Sequence, residues 1–352
     1  MLATGNQQLA TDMRKILVVG GAGFIGLHTS VAVKEAGFQP VILDNFCNSK
    51  KHMIRRFEKI IGEKAHVYEG DCRDVPFLRT IFSKEKTITG VIHFAALKAV
   101  GESCEKPLAY YHNNLVGLMS LIQVMQEKRI SRLVFSSSCT VYGEPDNLPI
   151  TEKAARKPAI SPYGNTKAIS EDILRDCADA GMPLRIVALR YFNPIGAHPS
   201  GLIGELPLGV PQNLVPFATQ TAAGIRKRLT VFGEDYKTHD GTCIRDYIHV
   251  MDLARAHVKA LAYLQKKRKK SFYDTVNVGT GKGSSVLDVL RAFESVNDVK
   301  VPYRIGPRRK GDLPAIYAGV QKSKKTLGWK AELTLEDALR DAWRWQQNLG
   351  KK

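Results

Sequence analysis

The feature that most constrains the fold is a glycine-rich turn near the start of the chain. Gly20, Gly23 and Gly26 are spaced G-x-x-G-x-x-G, directly after an apolar run at 15–19 and directly before a segment of helical periodicity at 27–36 that Gly37 closes. Glycine allows a sharp turn and lets the backbone approach a bound group closely. The helix that follows offers free N–H groups and the positive end of its dipole to an anion. The pattern predicts a strand–turn–helix unit that holds a phosphate.

A carboxylate follows this turn at the distance expected of a dinucleotide-binding unit. Asp44 ends the next predicted strand, 41–44, and lies 24 residues after Gly20, near the roughly 20 typical of an acid that binds a ribose. An acid at this position repels a 2′-phosphate, so the sequence favours NAD over NADP. Lys50 and Lys51 lie nearby and are the one feature that favours NADP.

Predicted strands and helices alternate along the first half of the chain. Further apolar runs stand at 66–68, 90–94, 132–136 and 184–189, and helix-like segments separate them. This order predicts an α/β fold with a Rossmann-type, doubly wound parallel sheet and helices on both faces.

Proline and glycine become frequent after about residue 190, which predicts a smaller, loop-rich C-terminal domain that binds the substrate. We divide the chain into a flexible tail at 1–12, an NAD-binding Rossmann domain at 13–190 and a substrate domain at 191–352. A predicted strand near 274–279 is a candidate to return to the first sheet.

Composition excludes several classes of protein. No apolar run approaches the length of a membrane span, and the first residues lack the features of a secretory signal. The six cysteines form no C-x-x-C pair and the nine histidines show no ligand spacing, so neither a disulfide framework nor a metal site is expected. These observations favour a reducing, cytoplasmic location.

The chain carries a formal net charge of +18, and a surplus of that size attracts anions. Phosphorylated small molecules, nucleic acids and anionic membranes would all fit it. The densest run, Lys266-Lys267-Arg268-Lys269-Lys270, lies between a predicted helix and a predicted strand and is typical of a solvated loop. We therefore expect neither a nucleic-acid nor a membrane partner.

Two further motifs carry polar chemistry. Ser136, Ser137 and Ser138 follow an apolar strand, and the carboxyl ends of parallel strands open into the crevice where such sheets bind ligands. Tyr163 and Lys167 form a Y-x-x-x-K pair, whose members share one face of a helix. Each motif is weak alone, but their order after the glycine turn is not expected by chance.

With these motifs the chain resembles the extended short-chain dehydrogenase/reductase family, and within it the UDP-glucose 4-epimerases. The resemblance runs from about residue 15 to about residue 345. Its more specific stretches are LDNFCNS at 43–49, HFAALKAVGES at 93–103, FSSSCTVYG at 135–143, RYFNPIGAHPSG at 190–201, GTCIRDYIHVMDL at 241–253 and PRRKGDLP at 307–314. The resemblance implies reversible interconversion of UDP-glucose and UDP-galactose, tightly held NAD and a homodimer.

The resemblance also implies which residues bind. Contacts to NAD are implied for Gly20, Gly23, Phe24, Ile25, Gly26, Asp44, Asn45, Asn48, Ser49, Asp71, Cys72, Phe94, Ala95, Lys98, Asn113, Ser138, Tyr163, Lys167 and Phe192. Contacts to the UDP-sugar are implied for Ser138, Tyr163, Asn193, Asn213, Leu214, Thr230, Val231, Phe232, Arg245, Arg309 and Asp312. Arg245 and Arg309 also have a physical reason, because a guanidinium can form a fork on diphosphate oxygens.

The implied reaction assigns roles to the Tyr, Lys and Ser. Inverting an unactivated carbinol carbon requires transient oxidation to a 4-keto intermediate, with NAD taking up and returning the hydride. We expect Tyr163 to be the base, Lys167 to favour its phenolate and Ser138 to orient the reacting oxygen. A unit charge about 6 Å away at an effective dielectric of about 20 contributes roughly 3 kcal/mol, or about two pKa units, so Lys167 and the nicotinamide together are expected to bring the phenol near neutral pH.

One position bears on substrate size. The family often has Tyr, Cys or Gly where this chain has Ile316, and a residue of intermediate size leaves activity on UDP-N-acetylhexosamines open. Cys139, also at a variable position, is interpreted as a small filler.

Three other functions are weighed. A dehydratase or decarboxylase of the same family would usually place an acid where Cys139 and Thr140 stand. A non-catalytic NAD-binding regulator remains open on fold grounds, although such proteins typically lose the Tyr or the Lys. Nucleic-acid binding would be indicated by a steep salt dependence of affinity for duplex DNA.

Overall fold

The computed structural model describes residues 13–309 and 311–349. Its centre is a seven-stranded sheet in which all neighbouring strands run parallel. The strands are β1 (Lys15–Val19), β2 (Gln39–Asp44), β3 (His66–Glu69), β4 (Ile88–His93), β5 (Arg132–Ser138), β6 (Arg185–Tyr191) and β11 (Phe272–Val278). Their spatial order is β11-β6-β5-β4-β1-β2-β3. The chain therefore winds outward from β1 in one direction, through β2 and β3, and then in the other.

Helices connect these strands. They are α1 (Phe24–Glu35), α2 (His52–Ile61), α3 (Val75–Lys84), α4 (Val100–Glu105), α5 (Pro107–Tyr111), α6 (Gly117–Glu127), α7 (Pro162–Asp179) and α9 (Val250–Gln265). A π-helical turn, His112–Val116, joins α5 to α6, and a 3₁₀ turn, Cys139–Tyr142, follows β5.

Apolar cores on both faces of the sheet hold this part together. Leu17, Leu133 and Phe135 pack with side chains of α3, α6 and α7 on one face, and Val18 and Val134 pack with side chains of α1 and α9 on the other. Alternate residues of each strand thus bury opposite faces, as a sheet covered on both sides requires. The prediction of an α/β, doubly wound parallel sheet is confirmed.

The remaining elements form a smaller unit after β6. It contains β7 (Asn193–Ile195), β8 (Leu229–Phe232), β9 (Ile244–Arg245), β10 (Tyr247–His249), β12 (Ser284–Ser285), β13 (Tyr303–Gly306) and β14 (Ala315–Ile316), with α8 (Leu214–Ala222), α10 (Val286–Asn297), α11 (Gln321–Leu327) and α12 (Leu335–Leu349). These strands pair only in short sheets of two or three. Val215, Phe293 and Leu339 belong to its own apolar cluster.

The chain crosses between the two parts more than once. After β10 it returns through α9 to β11, which pairs with β6 from Phe272↔Arg185 to Val278↔Tyr191. The predicted tail at 1–12 and the last residues, 350–352, lie outside the described residues. Within the described part, no helix has the length and apolar character to cross a membrane.

Candidate functional site

The glycine turn joins β1 to α1 at the carboxyl edge of the sheet. Gly20 has φ +77°, and a Cβ there would lie 2.6 Å from the Ala95 nitrogen. A Cβ on Gly26 would lie 2.4 Å from the Gly20 oxygen, whereas one on Gly23 would meet only that oxygen, at 3.4 Å. The missing side chains of Gly20 and Gly26 therefore allow close backbone contacts, whereas Gly23 has open space beside its Cα.

The start of α1 is suited to an anion. Gly23 occupies the N-cap, no side chain caps the helix and no acid stands in its first turn. Its first N–H groups, with the positive end of the helix dipole, are thus available to a phosphate. Phe24, Ile25 and Gly26 form this first turn, so the residues present fit the pyrophosphate of a dinucleotide.

Asp44 stands at the end of β2, beside the turn. Its Oδ2 accepts the Ala22 N–H at 2.9 Å, and its Oδ1 accepts the Phe46 N–H at 2.8 Å and the Ser49 hydroxyl at 3.1 Å. A carboxylate has about four acceptor positions, so one remains for a ribose hydroxyl. Asp44 thus fits the ribose contact and also fixes the loop that contains Asn45, Asn48 and Ser49.

The other predicted cofactor residues follow the carboxyl ends of neighbouring strands. Asp71 and Cys72 follow β3, and Arg73 lowers the pKa of Asp71 to about 2 through a two-point hydrogen bond. Phe94 and Ala95 follow β4 and donate their N–H groups to the Val19 oxygen at 2.7 and 3.0 Å. Phe192 follows β6, and Asn113 lies in the π-helical turn.

Tyr163 and Lys167 lie in the first turns of α7, which Ser161 caps by accepting the Gly164 N–H at 3.2 Å. Tyr163 is half-buried and Lys167 is buried. Lys167 Nζ donates to the Ser136 carbonyl at 2.6 Å and lies 4.9 Å from the centre of the Phe135 ring. Ser138 ends β5, and its hydroxyl accepts the Thr140 N–H at 3.2 Å.

Burial shifts the pKa values of both members of this pair. Burial raises the pKa of Tyr163 to about 12; Cys139 also raises it, and the Ser138 hydroxyl lowers it. Burial lowers the pKa of Lys167 to about 7, while Glu171 raises it. In the protein alone the cost of burying the charged phenolate therefore dominates the pKa of Tyr163.

The predicted UDP-sugar residues lie mainly in the smaller unit. Asn193 begins β7, Asn213 and Leu214 begin α8, and Thr230, Val231 and Phe232 lie in β8. Arg245 and Arg309 both contact Asp312, at 3.4 and 2.8 Å. Asp312 thus brings the two guanidinium groups together, in an arrangement that suits a diphosphate. Ile316 lies beside this group, because it pairs with Arg245 in the β9–β14 ladder.

Glu205 is a candidate site residue that the sequence analysis missed. Its Oε1 accepts the Asn213 side-chain amide at 2.6 Å and lies 3.5 Å from Lys98 Nζ. It therefore connects a predicted cofactor residue to a predicted substrate residue. Asn114 was also missed; its amide donates to the Leu97 carbonyl and to the Thr166 hydroxyl of α7. No motif spacing signals either residue, since their partners are distant in sequence.

One group of side chains bears on metal binding. His239, Asp240 and Asp288 place donor atoms within 4.8 Å of one another. The Asp240 oxygens already accept from Thr242 and Ser285, and Asp288 accepts the Ser285 N–H at the start of α10. A helix N-terminus disfavours a cation, so we interpret this group as a capping network.

Comparison with known proteins bears on the whole chain. The sequence model of the family described as GDP-mannose 4,6 dehydratase matches residues 17–342. A relative from Haemophilus influenzae named UDP-glucose 4-epimerase is 49% identical over 333 residues, covering 95% of this chain and 97% of that protein.

Two solved structures extend the comparison. A UDP-glucose-4-epimerase from Stenotrophomonas maltophila, with bound NAD and formylated UDP-arabinopyranose, is 46% identical with a TM-score of 0.93, covering 96% of this chain and 99% of that one. A UDP-glucose 4-epimerase from Bifidobacterium longum, in complex with NAD+ and UDP, is 46% identical with a TM-score of 0.90, covering 95% and 98%.

Proposed function

Because this chain belongs to the UDP-glucose 4-epimerase family, we propose that it is an NAD-dependent epimerase that interconverts UDP-glucose and UDP-galactose at C4 through a transient 4-keto intermediate. One observation carries the proposal: the glycine turn, Asp44, Ser138 and Tyr163 all stand at the carboxyl edge of one parallel sheet. That edge is where such folds bind dinucleotides.

Different residues would bind different parts of the dinucleotide. Gly20, Gly23 and the first N–H groups of α1 would hold the pyrophosphate, and Asp44 would hold a ribose. NAD supplies a reversible hydride acceptor and, in its oxidised form, a positive charge in the site. Lys98 and Asn113, on the segments after β4, would complete the enclosure of the dinucleotide.

The catalytic work falls to Tyr163, Ser138 and Lys167. Tyr163 would remove the proton of the C4 hydroxyl and later return it, and Ser138 would orient that oxygen. Lys167 would act through its charge, because a cation beside the phenol favours the phenolate. A phenol with a pKa of about 12 in the protein alone needs such positive charge to act as a base at neutral pH.

The smaller unit would hold the nucleotide end of the substrate. Arg245 and Arg309 converge on Asp312 and would bind the diphosphate, while Phe232 is 43% exposed and offers an aromatic face to the base. Firm binding at this end leaves the sugar free to rotate between its two orientations. Ile316, beside Arg245, would limit the size of the sugar, so we propose only a side activity on UDP-N-acetylhexosamines.

The test is to incubate the purified protein with UDP-galactose, without added cofactor, and to follow UDP-glucose by chromatography. We expect conversion without net accumulation of NADH, because the hydride is returned. Tyr163→Phe should retain bound NAD yet turn over about 10²–10⁴-fold more slowly. A protein that contains no NAD and converts neither nucleotide sugar when NAD is supplied would refute the proposal, and a product that has lost water would indicate a dehydratase.

A homodimer and a cytoplasmic location belong to the same proposal. Leu108 of α5 is 82% exposed and Met119 of α6 is 46% exposed, which supports a face that a second copy covers. Light scattering of the wild type and of Leu108→Glu would test it, with the monomer expected for the variant. The six cysteines, all free in the structure, support a reducing compartment, and fluorescence microscopy of a tagged protein would test the location.

A further inference from the structure

Helix α7 carries a third polar residue in line with Tyr163 and Lys167. Glu171 stands eight residues after Tyr163 and four after Lys167, so all three lie along one face of the helix. Its side chain is 1% exposed. A carboxylate so deeply buried requires partners.

Those partners tie α7 to the two strands beneath it. Glu171 Oε1 accepts the Ser137 hydroxyl at 2.5 Å and Arg190 Nε at 2.9 Å, and Oε2 accepts Arg190 Nη2. Arg190 lies on β6 and stacks 4.7 Å from the centre of the Tyr142 ring. Arg156 lies farther off, 3.8 Å from Oε2. Hydrogen bonds to Glu171 therefore link α7 to both β5 and β6.

The bond to Ser137 has a consequence for the reacting groups. Ser137 bonds to Glu171 of α7 and lies in β5 directly between Ser136 and Ser138. Ser136 presents its carbonyl to Lys167, and Ser138 is the proposed substrate contact. A carboxylate that fixes Ser137 thus sets the position of both neighbours relative to Tyr163.

The charge of Glu171 acts on Lys167 as well. Lys167 faces Glu171 on its own helix, His93 on β4, and Phe135 and Ser136 on β5. Burial lowers the pKa of His93 to about 3, so that ring is neutral at neutral pH. Among these groups Glu171 is the one that raises the pKa of Lys167.

We propose that Glu171 is a positioning residue for the epimerase reaction: its carboxylate fixes α7 against β5 and places a buried negative charge one helical turn from Lys167. The inference rests on the proposed function for its catalytic readout. Its electrostatic part concerns only Lys167 and is measurable without turnover.

The test compares Glu171→Gln, which removes the charge but retains the size and an acceptor, with the wild-type holoenzyme. A unit charge about 5–6 Å away at an effective dielectric of about 20 shifts a pKa by roughly two units, and this is an upper limit because Arg190 partly neutralises the carboxylate. We expect the pH at which kcat falls on the alkaline side to move down by up to that amount, with KM nearly unchanged. In Glu171→Asp, which keeps the charge, kcat should fall on the alkaline side at the same pH as in the wild type.

A second readout needs no activity. The Lys167 side chain is titrated by NMR on protein with ¹³C at the lysine Cε, and its signal is assigned from a Lys167→Arg sample. Its midpoint should fall by about one to two pH units in Glu171→Gln. This shift is expected even if the wild type converts no UDP-galactose, so failure of the inference and failure of the proposed function are distinguishable.

Asp172→Asn is the matched control. Asp172 is the next residue of α7, its side chain is 37% exposed, and it pairs with Arg156 and Arg175. The same chemical change one residue away should leave unchanged both the pH at which kcat falls on the alkaline side and the NMR titration midpoint of Lys167. Where Glu171→Gln does not fold because Arg190 is left unpaired, Glu171→Gln with Arg190→Met removes both buried charges. This double variant should show smaller shifts in the same direction, because the loss of the positive charge of Arg190 offsets part of the loss of the negative charge of Glu171. The proposal would be overturned if Glu171→Gln left the NMR titration midpoint of Lys167 unchanged and lowered kcat by the same factor at every pH. That result would mean that Glu171 has only a structural role.

Discussion

Two glycines of the turn, Gly23 and Gly26, should respond in opposite ways to the same added methyl group. In Gly26→Ala the new Cβ would lie 2.4 Å from the Gly20 oxygen and 2.7 Å from the Gly21 Cα, so the backbone must move by about 1 Å to reach ordinary contact. Overpacking of this kind costs about 1–3 kcal/mol. In Gly23→Ala the single neighbour is at 3.4 Å and the backbone, at φ −72° and ψ 173°, already suits alanine, so the folded chain should be unaffected or about 0.4–1 kcal/mol more stable.

Gly23→Ala should weaken the binding of NAD although it leaves the fold intact. The methyl of Gly23→Ala would enter the open space at the start of α1, where the backbone must approach a pyrophosphate closely, so we expect NAD affinity to fall at least about ten-fold, or about 1.4 kcal/mol. Urea unfolding by circular dichroism is measured on nucleotide-free samples, because bound ligand adds its own stability, and NAD affinity by calorimetry. Wild-type affinity in Gly23→Ala, or a loss of stability equal to that of Gly26→Ala, would refute this assignment of the two glycines.

Three further predictions concern other parts of the structure. Asp246 is buried and accepts four hydrogen bonds, from Thr280 N–H and O–H, Gly281 N–H and Ala318 N–H, so Asp246→Ala should lower the free energy of unfolding by about 3–5 kcal/mol; a loss below 1 kcal/mol in urea unfolding would contradict this. The pKa of Asp71 is held at about 2 by Arg73, below its unfolded value of about 3.9, so the ionised form stabilises the fold above about pH 4 and this contribution disappears as the pH falls toward 2. Asp71→Asn should therefore be less stable than the wild type at pH 7, by under about 1 kcal/mol for so exposed a pair, and this difference should narrow as the pH falls from about 5 to about 2; a constant difference would exclude the ion pair as its cause. Ile316→Tyr should reduce conversion of UDP-N-acetylglucosamine relative to UDP-glucose in product assays, and equal ratios for both proteins would show that this residue does not limit sugar size.

The parts of the fold set by local patterns were predictable from the sequence. Apolar runs gave β1, β2 and β4 to within a few residues, and Gly37, the predicted end of α1, adopts φ +81°. The helix itself begins at Phe24 rather than at the predicted 27, with Gly23 as its N-cap and the glycine-rich motif extending into its first turn at Gly26.

Contacts that depend on distant partners were not predictable. The lysine of the Y-x-x-x-K motif was identified from its spacing, yet Lys167 donates to the Ser136 carbonyl, a group of the backbone that no residue type reveals. Glu205 and Glu171 are single acids whose roles come from pairing with Asn213 and Arg190, and neither pairing has a sequence period. The assignment of the individual site residues to NAD and UDP-sugar stays a prediction.

The location of the basic run bears on the excess positive charge. Lys266, Arg268, Lys269 and Lys270 are exposed in the loop that leads into β11, so they lie at the amino ends of the parallel strands, opposite to Ser138 and Asp44. Two more cations stand at this edge: Arg185 donates to the Lys267 carbonyl at 3.0 Å, and Arg132 is its register partner on β5. Burial lowers the pKa of Arg132, and Arg185 lowers it further, since like charges repel. These cations are separated from the site by the length of the strands, and that separation is greater than the screening distance of about 8 Å at physiological salt. The basic edge therefore adds little to the binding of a nucleotide diphosphate at the proposed site of Arg245 and Arg309, and this part of the +18 charge lies on a different surface.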